Sequence, residues 1–277
     1  MFKKMVFSVI FIFLIATNCY AENKEQAKLK IQLVRNATMK ITYAAHTFLT
    51  DPMLSPKGAI DSFAGVERNP TVELSMSTEE ILAGVESVLV THVHPDHFDM
   101  AAANAIKKEM PLFCQPSDEA NIKKAGFTSV VSVENAYQWN GITIARTGGK
   151  HGYGVALTYM GEVSGFVLSA KGMPTVYWVG DSVWCDEVKN VIKQYQPDII
   201  ITHSGGAKNP KLGYIVMDDL QTIEVLKAAS KAKVVAIHTE SLDHCVITRS
   251  ALEQAAKKAN IPAGRLIIPR DAETVSF

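Results

Sequence analysis

Apolar residues fall into short runs closed by glycine, proline, asparagine or aspartate, with stretches of helical spacing between them. Leu29 to Leu33 and Met39 to Tyr43 predict two strands with Arg35-Asn36-Ala37 as their turn. A strand begun at His46 stops at Asp51-Pro52, since proline cannot donate to a sheet ladder. Ser55 to Pro70 lacks periodicity and reads as a surface loop. Ser77 to Glu80 has the S-x-x-E form of a capping box, so a short helix starts there and leads to the apolar run Val88-Leu89-Val90. Met100 to Lys108 reads as a helix and Phe113 as part of a short strand. Ser117 caps a helix ending at Gly126. Val130 to Val133 and Ile142 to Ala145 read as strands joined through a turn at Trp139-Asn140-Gly141. Ala156 to Met160 and Ser164 to Leu168 suggest a hairpin over Gly161.

Further strands are expected at Thr175 to Val179, Ile199 to Thr202, Val234 to Ile237 and Leu266 to Ile268. Met217-Asp218-Asp219 opens a helix with Leu220, Ile223, Leu226 and Ala229 on its apolar face. A second S-x-x-E box, Ser250 to Glu253, opens another that closes near Asn260. Strands alternate with helices around 80–125 and again around 175–268, the pattern of an α/β fold. No linker or short repeat divides the chain.

The chemistry concentrates just after the Val88 run, at Thr91-His92-Val93-His94-Pro95-Asp96-His97-Phe98-Asp99. Imidazole and carboxylate are ligands for divalent transition metals. His92 and His94, two apart at a strand end, point the same way. Pro95 ends the strand, and Asp96 and His97 turn back toward the same region. Three later positions carry residues of the same ligand types. His151 lies in Thr147-Gly148-Gly149-Lys150-His151-Gly152-Tyr153-Gly154, where glycines permit tight turns and close approach to a ligand. Asp181 follows Gly180 at the tip of the Thr175 strand, and His238 stands at the tip of the Val234 strand. His203, beside Ser204-Gly205-Gly206, is a candidate to protonate a leaving group or bind substrate. His46 and His244 read as structural or supporting residues. Lys208 and Lys211 are candidates to pair with an anionic substrate.

These motifs resemble those of the metallo-β-lactamase-fold hydrolases, over roughly residues 28–277. Asp51-Pro52, Tyr177-Trp178-Val179-Gly180-Asp181, Met217-Asp218 and Ile237-His238 are most similar to the branch containing the ascorbate-phosphate lactonase. The resemblance implies a four-layer αβ/βα sandwich, two sheets face to face with helices outside, and a site at one edge. It implies two divalent metal ions, zinc by preference, with manganese or iron as alternatives. His92, His94 and His151 would hold one; Asp96, His97 and His238 would hold the other; Asp181 would bridge them. Such a pair holds a hydroxide and polarises the group it attacks, so Asp96 and His203 are taken as catalytic. The expected activity is hydrolysis of a small ester, lactone, amide or phosphodiester. A non-catalytic scaffold that keeps the fold is the competing reading. β-Lactamases of this fold either place a cysteine at the second metal or lack the bridging aspartate; here Asp181 is present and Cys185 lies four residues beyond it. Diiron electron-transfer relatives carry glutamate where this chain has His94.

Composition adds the setting. The chain has 277 residues, is 47% hydrophobic and has zero formal net charge, so no basic excess points to nucleic acid. Lys3 and Lys4 precede an uncharged, mostly apolar run from Met5 to Ala16, and Cys19-Tyr20-Ala21 offers small residues at −3 and −1. This is the form of a signal peptide cleaved after Ala21, too short to span a bilayer. Lipid attachment at Cys19 or an uncleaved anchor are the alternatives. Residues 22–277 then form one exported domain, periplasmic or secreted, without stable membrane insertion and with homo-oligomerisation open. Losing two lysines and no acid leaves it a net charge of −2. Its cysteines, Cys114, Cys185 and Cys245, allow one disulfide and a free thiol, or three free thiols.

Overall fold

Two seven-stranded sheets carry the architecture in a computed structural model that describes residues 29–277. The expected signal segment, with Cys19, lies outside the described residues. The first half of the chain runs β1 (Leu29–Arg35), β2 (Thr38–Tyr43), β3 (His46–Thr50), α1 (Thr78–Leu82), β4 (Ser87–Leu89), α2 (Met100–Ala105), β5 (Leu112–Cys114), α3 (Glu119–Lys124) and β6 (Val130–Ser132). The second runs β7 (Ala136–Trp139), β8 (Ile142–Gly148), α4 (Ala156–Met160), β9 (Ser164–Ser169), β10 (Val176–Trp178), α5 (Asp186–Tyr195), β11 (Ile199–His203), the short pair β12 (Lys208–Asn209) and β13 (Gly213–Tyr214), α6 (Asp219–Ala228), β14 (Lys233–Ile237), α7 (Arg249–Lys258), β15 (Leu266–Ile267) and β16 (Thr274–Ser276). Sheet order is β16-β1-β2-β3-β4-β5-β6 in one and β15-β14-β11-β10-β9-β8-β7 in the other.

Alternation along each strand produces the layers. Ile31, Ile41, Phe48 and Phe113 from the first sheet meet Ile144, Phe166, Trp178, Ile201 and Val235 from the second in a shared core. Residues between them face outward: Tyr177, Ile200 and Val234 pack under α5 and α6, while Leu49, Val88 and Leu112 pack under α1, α2 and α3. Strands buried on both faces read as continuous apolar runs, which is why Ile199–Ile201 has no polar residue. The expected four-layer αβ/βα sandwich is present.

Caps follow the sequence in part. Ser77 accepts from the N–H of Glu80 and the Glu80 carboxylate accepts from Ser77, a complete capping box. Asp218 caps α6 by accepting from Gln221. The C-terminal box does not cap: Thr248 accepts from Ala251, and α7 begins at Arg249. Arg249 is held there by Glu240, Asp271 and the Pro269 carbonyl. Leu220, expected on the buried face of α6, is 67% exposed, and Val225 is buried instead.

Two pairings differ from expectation. The Asn140-Gly141 turn joins β7 to β8, with both residues at positive φ, whereas β6 belongs to the other sheet. Ala156–Met160 is a helix, because the strand that β9 pairs with is β8, from Thr143 opposite Ser169 to Gly148 opposite Ser164. Residues 149–163 are thereby released to cross the sheet edge, carrying His151. Among the described residues, Cys114, Cys185 and Cys245 are all free thiols. No helix among the described residues is long and apolar enough to cross a membrane.

Candidate metal centre

β10, β11 and β14 run parallel, and β8 shares their direction through β9, so all four end at the same edge. Asp181, His203 and His238 come from the tips of β10, β11 and β14, and His151 from the loop after β8. Opposite them, the turn after β4 brings His92, His94, Asp96 and His97; the N–H of His97 donates to the carbonyl of His94. Two glycines are required for this convergence. A Cβ at Gly180 (φ 73°) would meet the Ser164 carbonyl oxygen at 2.5 Å, and one at Gly205 would meet the His238 carbonyl oxygen at 1.9 Å. His238 itself sits at φ 61°, with its N–H donating to Asn36.

Ligand atoms gather in two groups: His92, His94 and His151 in one, and His97, Asp181, His203 and His238 in the other. Nε2 of His92 lies 3.0 Å from Nδ1 of His94, and the Nε2 atoms of His97 and His238 are 3.3 Å apart. Asp96 Oδ2 is 3.3 Å from His238 Nε2 and 3.4 Å from His97 Nε2, within the second group. Asp181 spans both, with Oδ2 3.2 Å from His97 Nε2 and 3.5 Å from His151 Nε2. All seven residues expected to hold metal are therefore brought together.

His203 is where expectation and structure part. It is fully buried, its Nδ1–H donates to Asp181 Oδ1 at 2.5 Å, and its Nε2 accepts from the Trp178 indole at 3.0 Å. Both nitrogens are occupied by protein, so it does not stand free at the site's edge to meet substrate; it holds Asp181. His46 bonds Glu86 away from the cluster. Cys185 contacts Ser182 and stays outside the cluster.

Several residues support the ligands in roles that the sequence did not assign. Asp51, fully buried, accepts from the Thr91 N–H (2.7 Å), the Thr91 hydroxyl (2.6 Å) and His97 Nδ1 (2.7 Å). Because the Thr91 hydroxyl proton goes to Asp51, its oxygen accepts from His92 Nδ1, 3.0 Å away. His151 Nδ1 donates to the Ile215 carbonyl at 2.8 Å, and Cys245 Sγ lies 3.4 Å from His238 Nδ1. In His92, His97 and His151 the outward nitrogen donates to a fixed acceptor and Nε2 points inward, the orientation a metal-binding imidazole needs. Asp51-Pro52 at a strand end and Thr91 at the head of the histidine motif were visible in the sequence without their hydrogen bonds; a backbone carbonyl such as that of Ile215 leaves no signal.

Charge agrees with the donor chemistry. Burial alone would raise Asp96 and Asp181; the surrounding histidines, His97 first, instead hold both well below the usual carboxylate range. Burial would likewise depress His97 and His238, yet the carboxylates, Asp181 foremost, hold them above the usual imidazole range. Burial pushes His92, His151 and His203 down, His151 to about 4. Three carboxylates thus draw positive charge inward, and a divalent ion binding there would displace protons from imidazoles already aimed at it. Donor set, tautomers and charge all fit divalent metal.

The cluster floors a cavity of about 360 Å³. His94, Asp96, His151 and Asp181 line its base; Phe63, Met160, Ile215 and His244 form its walls with Ser62 and Asn209. His244, read from sequence as a supporting residue, thus faces the cavity. Lys208 and Lys211 do not line it.

A family profile described as "Beta-lactamase superfamily domain" matches residues 46–239. The chain belongs to this superfamily. UPF0173 protein YddR of Bacillus subtilis (strain 168) is 35% identical over 255 residues, covering 90% of this chain and all of that one. A UPF0173 metal-dependent hydrolase of Koribacter versatilis is 27% identical over 60% of this chain and 72% of its own length. Among solved structures, an isothiocyanate hydrolase from Delia radicum gut bacteria superposes with a TM-score of 0.85 at 35% identity, over 90% of this chain and 99% of that one. A protein from Veillonella parvula described as a "possible metal-dependent hydrolase" gives 0.87 at 33% identity, over 91% and 100%.

Proposed function

We propose that this metal-dependent hydrolase of the beta-lactamase superfamily acts through two divalent ions on a small, uncharged molecule with an electrophilic carbon: an isothiocyanate, ester, lactone or amide. His92, His94 and His151 would hold one ion; Asp96, His97 and His238 the other; Asp181 would lie between them. When bound, such ions lower the pKa of water and polarise the bond under attack. The observation that carries the reading is the double cluster sharing Asp181 at the floor of a cavity with no lysine or arginine in its lining. A phosphodiester would arrive with a negative charge that the walls do not meet. The 35% identity to an isothiocyanate hydrolase over nearly the whole chain supports including that substrate class.

The chain's own residues do the positioning. Asp51 and Thr91 fix the tautomers of His97 and His92, the Ile215 carbonyl fixes that of His151, and His203 orients Asp181. Phe63, Met160 and Ile215 exclude water from the side facing the substrate. For an isothiocyanate the reaction balances as R–NCS + H2O → R–NH2 + COS.

The test is a panel of benzyl isothiocyanate, a γ-lactone, p-nitrophenyl acetate and bis(p-nitrophenyl) phosphate, assayed with protein as purified, stripped by chelator, and reloaded with zinc, manganese or iron. Turnover of a neutral member that disappears on stripping and returns on reloading is expected. Activity indifferent to chelation, or confined to the phosphodiester, would overturn the proposal.

A further inference from the structure

One carboxylate outside the metal cluster gathers an entire loop. Asp243 accepts from the N–H groups of Phe63 (3.0 Å), Ala64 (3.1 Å), Val66 (3.3 Å) and Glu67 (3.4 Å), from the Asn69 amide (2.9 Å) and from the Ser62 hydroxyl. Its own N–H returns a bond to Asn69 Oδ1 at 2.8 Å. Segment 62–69, which has no periodic structure of its own, is thus wrapped around a single side chain. Arg35, fully buried, ties the flanks by donating to the carbonyls of Met53, Ser55 and Val72. This loop forms a fixed wall of the cavity.

The clamp has a second product. Asp243 is followed by His244, and the loop it holds carries Phe63; the two rings meet edge to face, centroids 5.0 Å apart at 81°. Both line the cavity with Met160 and Ile215, beside the cluster. His244 Nδ1 is buried with no hydrogen-bond partner, unlike the outward nitrogens of His92, His97 and His151. A buried polar atom left unpaired at a cavity wall calls for an explanation beyond packing. Burial would raise the pKa of Asp243, but the Ser62 and Asn69 side chains and the loop N–H groups hold it well below the usual carboxylate range, so the clamp is ionised throughout any assay range.

We propose that Asp243 is a positioning residue for substrate selection: by locking Phe63 against His244 it builds the subsite that takes the uncharged organic side group of the substrate. The proposal rests on the hydrolase reading above for the location of the reacting centre. Its test therefore includes binding, which needs no turnover. Zinc-loaded protein is titrated with 2-phenylethanol and with ethanol, neutral molecules that differ by the ring and have no carbon open to hydrolysis. A preference of about tenfold or more for the ring-bearing alcohol is expected, as burial against two aromatic faces provides. Phe63→Ala should abolish that preference with zinc content unchanged. Asp243→Asn should reduce it because the loop loses its anchor, and His244→Phe, which keeps a ring on the wall, should retain more of it than His244→Ala. On any panel substrate turned over, Phe63→Ala and Asp243→Asn should raise KM about tenfold with kcat within about twofold. Equal or undetectable binding of the two alcohols to the parent protein, or a full preference in Phe63→Ala, overturns the subsite. If Asp243→Asn does not fold, Phe63→Ala still decides. Absence of turnover with the binding preference intact would instead count against the hydrolase reading alone.

Discussion

Replacing Asp51 by asparagine should strip metal from both halves of the cluster at once. The carboxylate accepts three hydrogen bonds in full burial, two from Thr91 and one from His97. An amide offers one acceptor and one donor group. If its oxygen stays on the Thr91 N–H, its NH2 faces the Thr91 hydroxyl and His97 Nδ1–H, donor against donor. His97 can escape only by moving its proton to Nε2, which turns an N–H into the cluster where a lone pair is needed. Thr91 can escape only by rotating its hydroxyl toward His92, which reverses that tautomer as well. Each buried donor left unpaired costs about 1–3 kcal/mol, so apo-protein stability should fall by roughly 3–5 kcal/mol. Loss of a group that orients a ligand typically weakens metal binding about 10–100-fold. The assay is elemental analysis of purified protein, followed by competition with a graded series of chelators and thermal unfolding of the stripped form. An Asp51→Asn protein that keeps the parent's metal content and chelator resistance would refute the tautomer argument.

His203→Gln should lower metal affinity and kcat while leaving the shape of the pH–rate profile intact, since a residue bonded to Trp178 and Asp181 positions the carboxylate and does not exchange protons with substrate; a lost limb of the profile would return it to general acid–base chemistry. Trp178→Phe, which frees His203 Nε2, should shift metal affinity in the same direction, and chelator competition reads it out. Burial raises the thiol of Cys114 to about 12, which leaves roughly one part in ten thousand as thiolate at pH 8; native protein should react slowly with Ellman's reagent and release three thiols per mature chain on unfolding, whereas a count of one would mean a disulfide. N-terminal sequencing of material exported by a producing cell should begin at Glu22, and an intact Met1 on that material would refute cleavage after Ala21.

Local chemistry was legible in the sequence wherever the chain enforces it locally. His92, His94, Asp96 and His97 sit within six residues, so a strand end and one turn suffice to bring them together. Asp181 and His238 could be read because each closes an apolar strand, and parallel strands of one sheet deliver their tips to one edge. Strands and helices in alternation pointed to an α/β class, while the four layers came only with the family resemblance. What depended on pairing partners was not legible. Ala156–Met160 is apolar enough for a strand, but β8 had already taken the edge of β9. Leu220 and Val225 differ in burial only through the rotation of α6 on its sheet. The support of the site was hidden for the same reason: Asp51 and His97 are 46 residues apart, Asp181 and His203 are 22 apart, and Asp243 reaches residues 174 to 181 positions earlier. A hydrogen bond acts over about 3 Å of space and carries no trace in residue spacing. The ligand types were therefore the sequence's to declare. Which nitrogen of each histidine faces inward, and which wall faces the substrate, was decided only when the two sheets closed on each other.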